Sequence, residues 1–243
     1  LFLGVLGLLA VAGVAFAGDL VEEHIDVTFG GTTSDRLYYV YQPEACLDNE
    51  CPMVIMFHGL NPQPDTFEAA WETANSDAGG YGPYYWKDTA DENGFVMVFP
   101  SASSMAPKSF FGFQYDPPAA GGTGPSQRWD MQAVSWSAVM NPTGHTPKAT
   151  KDTKFVENII DDMVADYKVL PTHVFTTGHS HGAFFSSYVA MLLPNKIEAF
   201  ASHSGGRVEV WGVSWPAYPT NANSNSSLKT EGLLIHSEND GTC

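Results

Sequence analysis

The chain has 243 residues, with 11 Lys and Arg against 27 Asp and Glu for a formal net charge of −16, and it is 44% hydrophobic and 13% aromatic. That balance supplies a core for one globular domain and excludes a disordered or fibrous chain. With no Lys/Arg cluster to neutralise phosphates, it also excludes DNA and RNA as partners.

Residues 1–17 carry no charge and close with Ala15-Phe16-Ala17. This reads as the apolar region and cleavage site of a signal peptide, with a membrane anchor as the alternative. No Met or basic segment precedes Leu1, so the start of the gene product is expected upstream. The remainder, residues 18–243, is expected to form one exported domain with no membrane association after cleavage. Export makes the cysteines meaningful. Cys46 and Cys51 flank a polar Leu47-Asp48-Asn49-Glu50 loop; a local disulfide is expected, two free thiols being the alternative. Cys243 is left over. Asn225-Ser226-Ser227 is a glycosylation acceptor if the source is eukaryotic.

Further along, His24 to Phe29 and Arg36 to Tyr41, separated by Gly30-Gly31, predict an antiparallel hairpin. Met53 to Phe57 and Phe95 to Phe99 are continuous apolar runs that fit strands covered on both faces. Between them the pattern allows helices over Thr66 to Asn75 and Trp86 to Asn93, the second stopped by Gly94. The stretch from Pro100 to Thr150 has little periodicity and several aromatic residues, among them Trp129 and Trp136, and predicts an ordered excursion beside a site. From Asp152, Phe155, Val156, Ile159, Ile160, Met163, Val164 and Tyr167 recur at helical spacing, leaving Asp161, Asp162 and Asp166 on a solvated face. Pro171 follows, then a strand near Val174 to Thr177, a helix over Ala183 to Leu193, a strand around Ala199, and another at Gly232 to Ile235. Short apolar strands alternating with helices predict a parallel α/β architecture.

The strongest chemical signal is Gly178-His179-Ser180-His181-Gly182. It matches G-x-S-x-G between a strand and a helix, where a sharp turn exposes the serine and the glycines admit neighbouring backbone. Ser180 is therefore the expected nucleophile, a plain turn serine being the alternative. His179 and His181 straddle that serine with no Cys or carboxylate pair at ligand spacing, so no metal is expected. His58-Gly59-Leu60 follows the first long apolar strand. The backbone N–H groups of Leu60 and His181 are the expected oxyanion donors, each typically worth about 3 kcal/mol in the transition state. His58 then packs beneath the loop. Asp240, leaving the strand at Gly232 to Ile235, is the expected orienting acid, with Glu238 as runner-up.

Together, Val54 to Gly59, Asp152-Thr153-Lys154-Phe155, the Ser180 motif and His236-Ser237-Glu238-Asn239-Asp240 resemble the secreted α/β-hydrolase esterases grouped as polyhydroxybutyrate depolymerase-like, with feruloyl and acetylxylan esterases. The resemblance covers roughly residues 35–240 and departs from the pattern at Ser237, where Gly is usual. It implies an α/β-hydrolase fold: a mostly parallel central sheet with helices on both faces. It also implies hydrolysis of hydroxyalkanoate, feruloyl or acetyl esters, as small molecules or polymers, without a cofactor. Trp129 and Trp136 are the aromatic residues expected to border the acyl or sugar pocket.

The family pattern next calls for a histidine after a further strand. The eight histidines all precede Asp240, so the expectation is that the final strand, helix and base lie beyond Cys243. The rearranged alternatives are His203 and His236. Two other functions stay open: a noncatalytic binding protein of the same fold, and a secreted serine peptidase.

Overall fold

A computed structural model describes residues 18–59, 83–102, 149–205 and 230–235, with short pieces at 104–105, 109–110, 113–114, 126–127 and 129–131. The predicted helix over Thr66 to Asn75 lies outside these residues, as does the segment 1–17.

Strands β1 (Leu20–Phe29) and β2 (Thr32–Tyr41) form the antiparallel hairpin, in which Phe29 faces Thr32. Gly30 and Gly31 make its two-residue turn at φ 60° and 81°. Two successive positive φ values match the twist of the flanking strands, and glycine adopts them without steric cost. A single turn, α1 (Ala45–Asp48), leads to β3 (Cys51–Phe57), and the Cys46–Cys51 disulfide staples the two together. Helix α2 (Pro83–Asn93) opens on a proline, which has no amide to leave unpaired at that position. It stops at Gly94, φ 67°, whose N–H returns to the Ala90 carbonyl at 2.8 Å.

After β4 (Val96–Pro100), the aromatic excursion contains two small ribbons. In one, β5 (Ser104–Met105) pairs with β8 (Ser126–Gln127); in the other, β6 (Ser109–Phe110) pairs with β7 (Phe113–Gln114). Helix α3 (Lys151–Asp166) starts at Thr150, where Thr153 completes a reciprocal capping box. Strand β9 (Val169–His179) begins several residues before the predicted Val174 and runs through Pro171. Its pairing with β3 shifts register between Cys51 and Met53, which accommodates the extra residues and the missing proline donor. Helix α4 (His181–Leu192), β10 (Ala199–His203) and β11 (Glu231–Ile235) follow.

The seven strands of the main sheet run β1-β2-β4-β3-β9-β10-β11. From β4 to β11 every pairing is parallel, and the hairpin adds an antiparallel edge. Strand alternation divides the core. Met53, Ile55, Phe57, Val96, Val98, Tyr38 and Val40 join Phe155, Ile159, Phe185 and Val189 of α3 and α4 on one face. Met56, Met97, Phe99 and Tyr41 pack with Ala90 and Trp86 of α2 on the other. Helices therefore cover both faces, as the sequence implied. One detail differs: Asp162 of α3 is half-buried and accepts a hydrogen bond from the Tyr38 hydroxyl, which draws it off the solvated face. Among the described residues no helix is long and apolar enough to cross a membrane.

Candidate active site

Ser180 sits between the end of β9 and the first turn of α4 at φ 54°, ψ −119°. An L-residue pays for that conformation, so surrounding contacts must enforce it. The Ser180 N–H donates to the His203 carbonyl on β10 at 3.0 Å, and the Ser180 carbonyl accepts from Ala183 N–H at 3.0 Å. The motif glycines are steric requirements. A Cβ on Gly178 would lie 2.4 Å from the Gly182 carbonyl, and one on Gly182 would lie 2.2 Å from the Phe57 carbonyl oxygen. Gly205, beyond β10, is equally constrained: its Cβ would meet the Ser180 carbonyl oxygen at 2.4 Å. Sequence reasoning passed over Gly205, although Gly205-Gly206 directly after a strand is a visible signal of close backbone approach.

The end of β3 borders this turn. A Cβ on Gly59 would stand 3.5 Å from both the Ser180 Cβ and the His179 carbonyl oxygen, so the His58-Gly59 loop lies alongside the serine. His181 occupies the first position of α4, where helical geometry gives its amide no intrahelical acceptor. Leu60 lies outside the described residues.

His58 is buried and fully engaged. Its Nε2 accepts from the Ala102 N–H at 3.0 Å, which leaves Nδ1 as the protonated nitrogen donating to the Gly59 carbonyl at 2.7 Å. Burial pushes its pKa down to about 4 against a weaker opposing effect of the Gly59 bond, so the ring is neutral at ordinary pH. An imidazole committed at both nitrogens to backbone shapes a loop and moves no protons.

Trp129 departs from its expected place at the substrate surface. It is 2% exposed, stacked on Phe185 at 4.7 Å and edge-on to Phe57 at 5.0 Å. Its indole N–H donates to the His58 carbonyl at 2.9 Å. Trp129 is a core residue under the loop, because a buried indole needs an acceptor and the His58 carbonyl supplies one. Beside it, Arg36 Nη1 pairs with Asp152 Oδ1 at 2.8 Å, both side chains buried, and Arg36 Nη2 donates to the Ser101 carbonyl at 2.8 Å. The other Asp152 oxygen accepts the Asp130 N–H at 2.6 Å. The guanidinium also lies 4.2 Å from the Phe155 ring centre. Arg36 was missed as a site residue, yet its period-two spacing with Tyr38 and Val40 puts it on the core face of β2.

His203 is exposed at the end of β10, its ring 5.6 Å from that of His179. Trp136, His236, Glu238 and Asp240 lie outside the described residues. Among the described residues no three His, Cys, Asp or Glu side chains converge as a metal site.

No family model matches the chain. It is 29% identical over 173 residues to a bifunctional acetylxylan esterase/xylanase of Neocallimastix patriciarum, covering 71% of this chain and 18% of that protein. It is 22% identical over 200 residues to feruloyl esterase B of Thermothelomyces thermophilus, covering 82% of this chain and 53% of that one. The chain thus spans about a fifth and about half of the length of these two relatives. Among solved structures, a thermostable esterase superposes over 89% of this chain and 55% of its own with a TM-score of 0.50 at 15% identity, a likeness of fold. Sheet order, the strained serine between strand and helix, and these likenesses agree: the chain has the α/β-hydrolase fold and resembles the acetylxylan and feruloyl esterases in sequence.

Proposed function

We propose that the protein is a secreted serine carboxylic-ester hydrolase that works through an acyl-serine intermediate. The observation that carries the reading is the backbone of Ser180, held at φ 54° between β9 and α4 with the loop of Gly59 beside it. Strain of this kind persists where contacts over-determine it, and it aims the side chain away from the chain's own hydrogen bonding.

In the reaction, Ser180 Oγ attacks the ester carbonyl carbon as a general base takes its proton. The carbonyl oxygen becomes an oxyanion facing the amides of His181 and Leu60. Collapse of the tetrahedral intermediate breaks the carbon–oxygen bond to the alcohol, which leaves with the proton held by the base. Water then attacks the acyl-serine by the same route and releases the acid. Asp240 is assigned to orient the base. Similarity to an acetylxylan esterase/xylanase and to a feruloyl esterase favours acetyl or feruloyl esters over hydroxyalkanoate polymers.

A fluorophosphonate probe on the wild-type protein is expected to label Ser180, and Ser180→Ala to abolish both labelling and hydrolysis of acetyl and feruloyl esters. Labelling that survives the substitution would move the nucleophile elsewhere. Absence of labelling and turnover in a folded protein would favour the noncatalytic binding reading, and faster cleavage of amides than of esters the peptidase reading. Loss of turnover in His203→Gln would assign the base to β10.

A further inference from the structure

Two chains of hydrogen bonds leave the buried Arg36–Asp152 pair and end on the same residue. Through Arg36, Nη2 holds the Ser101 carbonyl at 2.8 Å, and the next residue, Ala102, donates its N–H to His58 Nε2 at 3.0 Å. Through Asp152, Oδ2 holds the Asp130 N–H at 2.6 Å, and the preceding residue, Trp129, donates its indole N–H to the His58 carbonyl at 2.9 Å. His58 is thus gripped at its ring and at its backbone. Its remaining ring nitrogen holds the Gly59 carbonyl at 2.7 Å, and Gly59 adjoins Ser180.

We infer that the Arg36–Asp152 ion pair and Trp129 are positioning residues that fix the His58-Gly59 loop against Ser180, a role that rests on the ester-hydrolase reading above. The physical case has three parts. The pair comes from the first turn of α3 and from β2, and the contacts it holds lie just after β4, at Ser101, and after β8, at Asp130, so one charge pair ties four separate stretches of chain to the loop. A buried ion pair is a poor source of net stability, whereas the geometric definition it gives to charged hydrogen bonds is high. Finally, oxyanion stabilisation depends on donors set in place before the charge appears, so a loop that drifts loses transition-state binding while substrate affinity changes little.

The test pairs a mild variant with a severe one in the full chain. Trp129→Phe keeps an aromatic ring in the stack and deletes the donor to the His58 carbonyl. Asp152→Asn removes the charge and leaves Arg36 without its counter-ion, and the same kinds of loss are expected of it; should it fail to fold, Arg36→Lys, which keeps the charge but gives up the simultaneous grip on Asp152 and the Ser101 carbonyl, tests the pair in its place. For Trp129→Phe the expected result is a kcat lower by about 10- to 100-fold, a displacement-type loss, with KM within about twofold of wild type. Fluorophosphonate labelling of Ser180 should slow in parallel. Hydrogen exchange should rise in the peptide ending at Gly59 while α4 and the β1–β2 hairpin keep wild-type protection. Unchanged kcat, or a fall in kcat with unchanged exchange at Phe57 to Gly59, would overturn the positioning role. A wild-type protein with neither turnover nor Ser180 labelling would instead remove the ester-hydrolase reading, and exchange would still report whether Trp129 holds the loop.

Discussion

The Ser180 turn and the β1–β2 hairpin use similar residues to opposite ends. Both contain a backbone turn at positive φ, and each has a histidine engaged in a polar network. In the hairpin the positive φ falls on Gly30 and Gly31, with nothing within 4 Å of the Cβ either would carry. At the site it falls on Ser180, and the neighbouring glycines are spent on close approach. The hairpin histidine, His24, is half exposed and bonds Asp35 at 2.9 Å, while Glu22 beside it accepts from Tyr39 at 2.7 Å. His58 is buried among backbone groups. One region is relaxed and exposed; the other is strained, with Ser180 half-buried and His58 buried beside it. The difference teaches that environment, more than residue type, decides whether a turn or a histidine can be given to function.

The largest separation between the regions should come from adding one methyl group to each. Gly182→Ala pushes a Cβ into the Phe57 carbonyl, where backbone on both sides leaves no flexible atom to yield. We expect a loss of about 4 kcal/mol or more, or failure to fold. Gly30→Ala meets no atom and pays only for its positive φ, about 1 kcal/mol. Urea denaturation of both variants measures this, and comparable losses would break the contrast.

Acid should separate the two histidines by sign. His58 falls from an ordinary 6.5 to about 4 on burial. Between those values the unfolded chain binds the proton and the folded one does not, so its contribution is present above about pH 6.5 and is lost as pH falls toward 4. A shift of that size corresponds to about 3 kcal/mol. His24 is raised, chiefly by its hydrogen bond to Asp35. Its small contribution is present below its unfolded pKa and is lost as pH rises through the folded one. Stability measured from pH 4 to 8 should therefore rise less steeply in His58→Gln than in wild type. His24→Gln should remove a slight opposing slope, and an acid limb unchanged in His58→Gln would locate acid sensitivity elsewhere.

Much of this contrast was legible in the sequence where a local rule governs the outcome. Gly30-Gly31 between two alternating runs gives the hairpin, Gly94 stops α2, and Cys46 and Cys51 are close enough along the chain to pair. G-x-S-x-G between strand and helix marks the turn whose backbone strain the structure displays. Trp129 was misread because an aromatic residue in a nonperiodic segment carries no record of which way it faces. Its acceptor, the His58 carbonyl, is 71 residues away in sequence. The Arg36–Asp152 pair was illegible for the same reason, since no short-range pattern links a strand residue to a helix start across the core. Strand β9 was placed late because Pro171 reads as a terminator, whereas a register irregularity beside β3 absorbs it.

The smallest effect isolates the strain itself. Ser180→Ala and Ser180→Gly both remove the nucleophile and the hydroxyl, so neither should hydrolyse esters, and their difference in stability reports the backbone alone. Alanine keeps the cost of φ 54°, ψ −119°, which for a non-glycine residue is of order 1–3 kcal/mol. Glycine relieves that cost and gives back part of the gain, about 0.5–1 kcal/mol, through the larger conformational freedom of its unfolded state. The net expectation is that Ser180→Gly is more stable than Ser180→Ala by about 1 kcal/mol, the reverse of the ordinary ranking of these two residues and the mirror image of Gly30→Ala in the hairpin. Paired urea titrations resolve a difference of that size. Equal midpoints would mean that the turn relaxes once the serine is gone, and that the contacts to His203, Gly205 and Phe57 follow the backbone instead of forcing it.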